Sequence, residues 1–222
     1  LLNYENAHVV TRITPVSSLY SVLRGLLSFC LVLALLPVSG GAQAKGNRIE
    51  VGPTRAITTL SVAANIAQDG DLIEVDAGDY IADVAIWKQN DIVIRARNGR
   101  VRLLASGAAA EAKAIWVVRG GKISVEGFDF IGAKVKDKNG AGIRLEKGHL
   151  SVIDCGFFDN ENGILTGGNA ESTLDIQNSE FGNNGHGDGQ SHNLYVGTIA
   201  RLTVIGSYFH HARVGHLLKS RA

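Results

Sequence analysis

The sequence predicts an all-β fold, a right-handed parallel β-helix with a short N-terminal capping α-helix. The main observation is a repeat: ISVEGFDF, LSVIDCGF, LDIQNSEF and LTVIGSYF end at Phe130, Phe157, Phe181 and Phe209. Successive repeats are 27, 24 and 28 residues long and contain strand patterns but no helix pattern. Propeller blades need about 40 residues or more, so this repeat favours one coil of a parallel β-helix. The right hand is the default for parallel crossovers.

The first elements of the fold are a strand and a helix. RIEV, Arg48 to Val51, is typical of a strand. A helix follows over Thr59–Ala67, with Thr59 as its N-cap and apolar residues at helical spacing, namely Leu60, Ala63, Ala64 and Ala67. We expect this helix to cover the open N-terminal end of the stack, where strand edges would otherwise be exposed.

A second strand family interleaves with the phenylalanine repeats. Its members are AGIRL, NGILT, HNLYV and GHLLK, which begin at Ala141, Asn162, His192 and Gly215. Coils stack about 4.8 Å apart, so equivalent residues of successive coils should lie on one another. The phenylalanines should form an internal column, and Asn160 and Asn162, with Asn183 and Asn184, should lie at a repeated turn. In the alignment of these strands Asn193 and His216 stack on the outer face.

The N-terminal residues 1–44 are interpreted as an extension and a secretory signal peptide, which leaves residues 45–222 as the β-helix domain. Leu26–Val38 is an apolar run of thirteen residues that follows Arg24 and precedes a small-residue site at Ala44. A membrane span needs about 20 apolar residues, so we expect no span after cleavage and a periplasmic or secreted protein. An uncleaved anchor or a buried helix stays the alternative. The last coil ends without a closing segment, which predicts a chain truncated at its C-terminus.

Composition restricts the partners. The net charge is +1, which argues against a strongly basic nucleic-acid binder. Cys155 would be the only cysteine after cleavage, so it cannot form an intrachain disulfide, and we expect a buried thiol. The oligomeric state is left open.

Polar residues are densest in NNGHGDGQSHNLYVG, from Asn183, and in the last coil. His can act as a base near neutral pH, Arg can hold a carboxylate with two hydrogen bonds, and Tyr can return a proton. An acidic polysaccharide fits these residue types. The catalytic candidates are His192, Arg221, His216 and Tyr195. The substrate-binding candidates are Asn193, His186, Asp188 and Lys219.

The chain resembles the pectate-lyase-like right-handed β-helix superfamily over about Arg48 to Ala222. The resemblance lies in the helix, the following QDGDLIEVDAGDY and the phenylalanine-ending coils. More loosely, Ser191-His192 and Ser220-Arg221 resemble pairs in the active-site coils of periplasmic mannuronan C5-epimerases. A D-P-H-D element of those enzymes is present here only as GHGD from Gly185, and the interval from His192 to Arg221 is longer. The resemblance implies uronate lyase or C5-epimerase chemistry.

Two alternatives stay open. The protein can instead be a non-catalytic β-helix that binds glycan or forms a surface structure. Zinc binding by His210, His211 and His216, or by His186 with Asp188, is a rival, but adjacent strand residues point to opposite faces. Calcium prefers a cluster of carboxylates that the stretch lacks. We therefore assign no metal and no cofactor.

Overall fold

The computed structural model describes residues 46–187 and 189–221, so the predicted signal segment and Asp188 lie outside the described residues. The described chain forms a parallel β-solenoid of about six turns with one short helix, which confirms the predicted fold class. In chain order the elements are β1 Arg48–Val51, α1 Leu60–Ile66, β2 Leu72–Ile81, β3 Ala85–Trp87, β4 Ile92–Leu104, β5 Ala114–Val118, β6 Lys122–Glu126, β7 Phe128–Ile131, β8 Ala141–Leu145, β9 His149–Ile153, β10 Gly156–Phe158, β11 Asn162–Thr166, β12 Thr173–Gln177, β13 Glu180–Gly182, β14 Leu194–Val196, β15 Arg201–Ile205, β16 Tyr208–His210 and β17 Leu218–Ser220.

The solenoid has three faces. Face 1 consists of the first half of β4 with β6, β9, β12 and β15, and face 2 consists of the second half of β4 with β7, β10, β13 and β16. The strand β1 pairs with β2, and β2 pairs with both halves of β4, so that β4 joins the two faces into one 11-stranded sheet. Face 3 is the separate six-stranded sheet of β3, β5, β8, β11, β14 and β17. Every strand pair in the three faces is parallel, so each coil adds one strand to each face.

The interior is organised by the predicted aromatic column. The rings of Phe130, Phe157, Phe181 and Phe209 stack face to face, with centroids 5.0, 4.5 and 4.6 Å apart. The column continues toward the N-terminus, where the ring of Trp116 lies 5.1 Å from that of Phe130. Equal spacing of rings on adjacent coils follows from the parallel register, which repeats the side-chain position once per coil.

The helix α1 closes the N-terminal end of this interior, as predicted. Thr59 is its N-cap, and the Thr59 hydroxyl accepts a hydrogen bond from the N–H of Val62. The buried carboxylate of Asp83 accepts the N–H groups of Leu60 and Ser61 at 2.6 and 2.9 Å, which satisfies two further donors of the first turn. Leu60 packs into the core, so both its backbone and its side chain hold the helix in place.

A ladder of three buried asparagines lines the turn after the phenylalanine strands. The Asn160 amide donates to Asn184 Oδ1 at 3.0 Å, and the Asn184 amide donates to Asn193 Oδ1 at 2.9 Å. The Asn193 amide in turn donates to the carbonyls of Phe181 and His210. Asn160 and Asn184 therefore confirm the predicted repeated turn. The expected outward orientation of Asn193 is wrong, because its side chain completes the ladder and is fully buried.

Candidate functional site

The outer surface of face 3 changes from apolar to basic along the solenoid axis. Strand pairing stacks one outward residue per coil, in the order Ile86, Val117, Arg144, Leu165, Tyr195 and Lys219. We call these six residues the outer column. Val117 and Leu165 pack in an apolar cluster on this side of the sheet, separate from the solenoid core. Tyr195 and Lys219, which were predicted for the site, form the C-terminal end of this column, and Arg221 lies beside it.

The register at that end differs by one residue from the sequence alignment. Leu194 pairs with Leu218 rather than with Leu217. His192 therefore lies beside His216, and Asn193 lies beside Leu217. A one-residue slip exchanges the residues that face inward and outward, so it separates the expected Asn193–His216 pair. Gly215 contributes to this register, because a Cβ at that position would lie 2.2 Å from the Ser191 carbonyl oxygen.

His192 is buried, contrary to the expectation that it borders an open groove. Its side chain has no solvent exposure. Its Nδ1 accepts a hydrogen bond from the backbone N–H of His216 at 3.0 Å. Its ring centroid lies 5.1 Å from that of His216 and 5.5 Å from that of Tyr195. His216 itself is exposed, so it is the accessible imidazole of this pair.

Tyr195 is the centre of the basic end of the column. The Lys219 ammonium lies 5.5 Å from the centroid of its ring, and the Arg221 guanidinium lies 5.7 Å from it. A backbone hydrogen bond from the N–H of Arg221 to the carbonyl of Val196 holds Arg221 beside the end of β14. In the part of the chain that the structure describes, no carboxylate lies within 4.0 Å of either cation. Two cations that no described carboxylate neutralises therefore lie close to a half-buried aromatic ring.

His186 lies apart from this cluster, on the loop before β14. Its Nδ1 is 3.5 Å from a carboxylate oxygen of Glu161, a buried residue that sequence reasoning missed. The other Glu161 oxygen accepts the backbone N–H groups of Val135 and Gly140 at 3.0 and 2.7 Å. Glu161 therefore fixes the loop between β7 and β8 and faces His186 at the same time. Asp188, the neighbouring candidate, lies outside the described residues.

Four charged side chains form a closed ion network beside the outer column. The carboxylate of Glu146 forms ion pairs with Lys113 and Arg119, each with an N–O distance of 2.7 Å. Glu111 forms ion pairs with the same two cations. Hydrogen bonds from Arg119 and then Lys113 lower the pKa of Glu111 to about 2. Burial alone would raise the pKa of Glu146, but hydrogen bonds from Lys113 and Arg119 outweigh burial and lower it. The two positive and two negative charges of this network therefore balance each other.

Face 1 carries a groove of about 540 Å³ whose charges are already paired. Arg201 lies 3.2 Å from Asp175, and Lys122 lies 3.7 Å from Asp91. An anion that entered this groove would have to compete with these carboxylates. Among residues 46–187 and 189–221, no carboxylate pairs with the cations at the basic end of face 3, so this end is the stronger candidate for an anion site.

The structure therefore brings His192, Lys219 and Arg221 close to the Tyr195 ring, with His216 next to His192, and it leaves Asn193 and His186 outside that group. Sequence reasoning missed Arg144, which belongs to the same outer column. The alignment of AGIRL with HNLYV carries a signal for it, because Arg144 and Tyr195 are both fourth in their strands.

Three further observations bear on chemistry. Among residues 46–187 and 189–221, no three His, Cys, Asp or Glu side chains are grouped as a metal site would require. Within the same residues no helix is long and apolar enough to cross a membrane. Cys155 is a buried free thiol, and burial raises its pKa to about 12, so it is a poor nucleophile.

Comparison with known proteins gave no match. No protein-family profile, no curated protein and no solved structure matches the chain.

Proposed function

We propose that this is an exported β-helix protein that binds an acidic polysaccharide on the outer surface of face 3 and acts on it by uronate lyase or C5-epimerase chemistry. The observation that carries the proposal is the Tyr195 ring with Lys219 and Arg221 close to it, two cations with no carboxylate partner in the described chain. An aromatic ring offers an apolar platform for a sugar, and the cations offer charge to its carboxylate.

The reaction would use the accessible residues of this cluster. Arg221 would hold the C6 carboxylate of a uronate, which makes the C5 proton more acidic. The exposed imidazole of His216 would take that proton, and the electron pair would spread into the carboxylate. For a lyase reaction the C4–O bond would then break, a double bond would form between C4 and C5, and the leaving oxygen would take a proton from the Tyr195 hydroxyl or from water. Proton donation to the opposite face of C5, with the Tyr195 hydroxyl as donor, would complete an epimerisation.

His192 has a different part in this proposal from the one its sequence context suggested. It has no solvent exposure and cannot contact a polymer. Its hydrogen bond from the backbone N–H of His216 instead orients the start of the last coil. We therefore propose His192 as a positioning residue and His216 as the base.

Binding is tested with polyuronates and a neutral glucan of similar length. We expect the protein to bind polyuronate but not glucan, and the affinity to fall as salt rises, because the Debye length shortens to about 10 Å at 0.1 M. The double variant Lys219→Gln, Arg221→Gln should weaken polyuronate binding. The matched control Lys122→Gln removes a cation from face 1 and should leave polyuronate binding unchanged.

Turnover is measured on the same polymers. Absorbance of an unsaturated product reports a lyase, and proton NMR of the polymer reports an epimerase. Binding without turnover on any uronate polymer would favour the non-catalytic glycan-binding alternative. Absence of binding at low salt would refute the acidic-polysaccharide proposal altogether.

Export is tested independently. Mass spectrometry of the protein recovered outside the cytoplasm should find Lys45 as the first residue. A chain that retains the apolar run Leu26–Val38 would contradict cleavage after Ala44.

A further inference from the structure

Arg144 is a half-buried cation in the middle of the outer column. It lies between Val117 and Leu165 on the adjacent coils, and both of these neighbours are buried. Among the described residues, the buried Nε of Arg144 has no hydrogen-bond acceptor. A buried polar group without a partner destabilises the fold, so such a group calls for an explanation.

The acidic residue nearest along the strand does not satisfy Arg144. Glu146 is two residues away, directly after the end of β8, but its two oxygens are bound by Lys113 and Arg119 at 2.7 Å. In the described part of the chain, no carboxylate lies within 4.0 Å of the Arg144 guanidinium. The apolar residues on both sides limit screening by water and strengthen any ion pair that forms there.

We infer that Arg144 is a second anchor for a carboxylate of the bound polysaccharide, distinct from the anchor at Tyr195, Lys219 and Arg221. This inference rests on the proposed function of face 3. A carboxylate at the accessible side of the guanidinium would pair its charge, and the planar group can bind it with two hydrogen bonds.

The two anchors set the length of the ligand. Arg144 and Lys219 are three coils apart in the outer column, through Leu165 and Tyr195, which is about 14 Å at the spacing of parallel strands. A sugar unit of a 1,4-linked chain advances by about the height of one coil. A ligand that reaches both anchors must therefore carry carboxylates about three sugar units apart, and a diuronate is too short.

The experiment measures the affinity of diuronate and hexauronate by calorimetry, with neutral oligosaccharides of equal length as the blank. Arg144→Met keeps the apolar stem over Val117 and Leu165 but removes the charge. We expect this variant to lose about tenfold in affinity for hexauronate, the size of a charge-assisted hydrogen bond, and less than about twofold for diuronate. The affinity of Arg144→Lys for hexauronate should lie between that of Arg144→Met and that of the wild type.

The outcomes separate this inference from the proposed function. Wild-type protein that binds no uronate oligomer removes both. Wild-type binding that Arg144→Met leaves unchanged overturns the second anchor and leaves the proposed function in place. Should Arg144→Met fail to fold, the Nε–H NMR signal of Arg144 in the wild type decides: a shift with hexauronate supports the anchor, and an unmoved signal overturns it.

Discussion

The Nδ1 of His192 accepts the backbone N–H of His216, 3.0 Å away in the next coil. A ring nitrogen that accepts a hydrogen bond carries no proton, so the neutral ring carries its proton on Nε2. This side chain therefore links two coils through a backbone group that no strand pairing satisfies. The link explains why a polar residue is tolerated without any solvent exposure.

His192→Ala should destabilise the fold by about 3 kcal/mol, because it leaves a cavity and an unsatisfied N–H at His216. Thermal unfolding measures the change. His216→Ala is the control, since it keeps the backbone N–H and removes only an exposed ring, and its cost should stay within about 0.5 kcal/mol. Equal costs for the two variants would contradict the burial of His192.

Phe157→Ala should lower the free energy of unfolding by about 3–5 kcal/mol, because it removes a ring from within a continuous stack. Phe158, the next residue on β10, is half-buried and lies outside the stack, so Phe158→Ala should cost much less. Chemical denaturation of both variants gives the comparison. A larger cost at Phe158 would show that the column does not dominate packing.

Gly163→Ala should destabilise by about 3 kcal/mol or more, because its Cβ would lie 2.3 Å from the Asn193 carbonyl oxygen and 2.8 Å from the Phe181 ring. Gly168→Ala is the control, since nothing lies within 4 Å of the Cβ it would add. Thermal unfolding should separate the two alanines. A neutral Gly163→Ala would mean that β11 and β14 do not approach so closely.

Carbon-detected NMR should find the Glu111 carboxylate still ionised at pH 3, because hydrogen bonds from Arg119 and Lys113 lower its pKa to about 2. A folded pKa below the unfolded value adds stability above about pH 4.5, and that contribution disappears as pH falls toward 2. In Arg119→Gln the pKa of Glu111 should rise toward its ordinary range. A wild-type midpoint near 4.5 would mean that the ion network does not form in solution.

Tyr195→Phe and Tyr195→Ala separate the ring from the hydroxyl. Phe keeps the ring beside Lys219 and Arg221, so polyuronate binding should persist, whereas Ala should weaken it by about tenfold. If the Tyr195 hydroxyl donates a proton in the reaction, the Tyr195→Phe variant should bind polyuronate normally and lose turnover. Calorimetry and product NMR measure the two properties on the same samples, and full turnover by Tyr195→Phe would remove the hydroxyl from the mechanism.

Much of the fold could be predicted because its signals are local and repeated. The Phe column, the helix capped by Thr59 and the Asn160–Asn184 turn each follow from spacing along the chain. The register of the last strand could not be predicted, because Leu217 and Leu218 are adjacent and apolar, so either can be aligned with Leu194.

The candidate site was less predictable because contacts from distant residues determine it. Nothing near His192 in sequence indicates that its ring is enclosed. The pairing of Glu146 with Lys113 and Arg119 spans 33 and 27 residues, so the sequence alone suggests that Glu146 is available to Arg144. The shared position of Arg144 and Tyr195 in their strands was visible, but only the pairing of the strands shows that both face outward.

The asparagine ladder has a consequence for how this solenoid tolerates change. Asn184 and Asn193 are nine residues apart in sequence, yet their side chains are joined directly. The segment between them starts and ends at the same point of the interior, so its length does not alter the register of the coils. Doubling such a segment costs only about 0.6 kcal/mol in closure entropy. The solenoid can therefore carry segments of different length at this position on an unchanged scaffold.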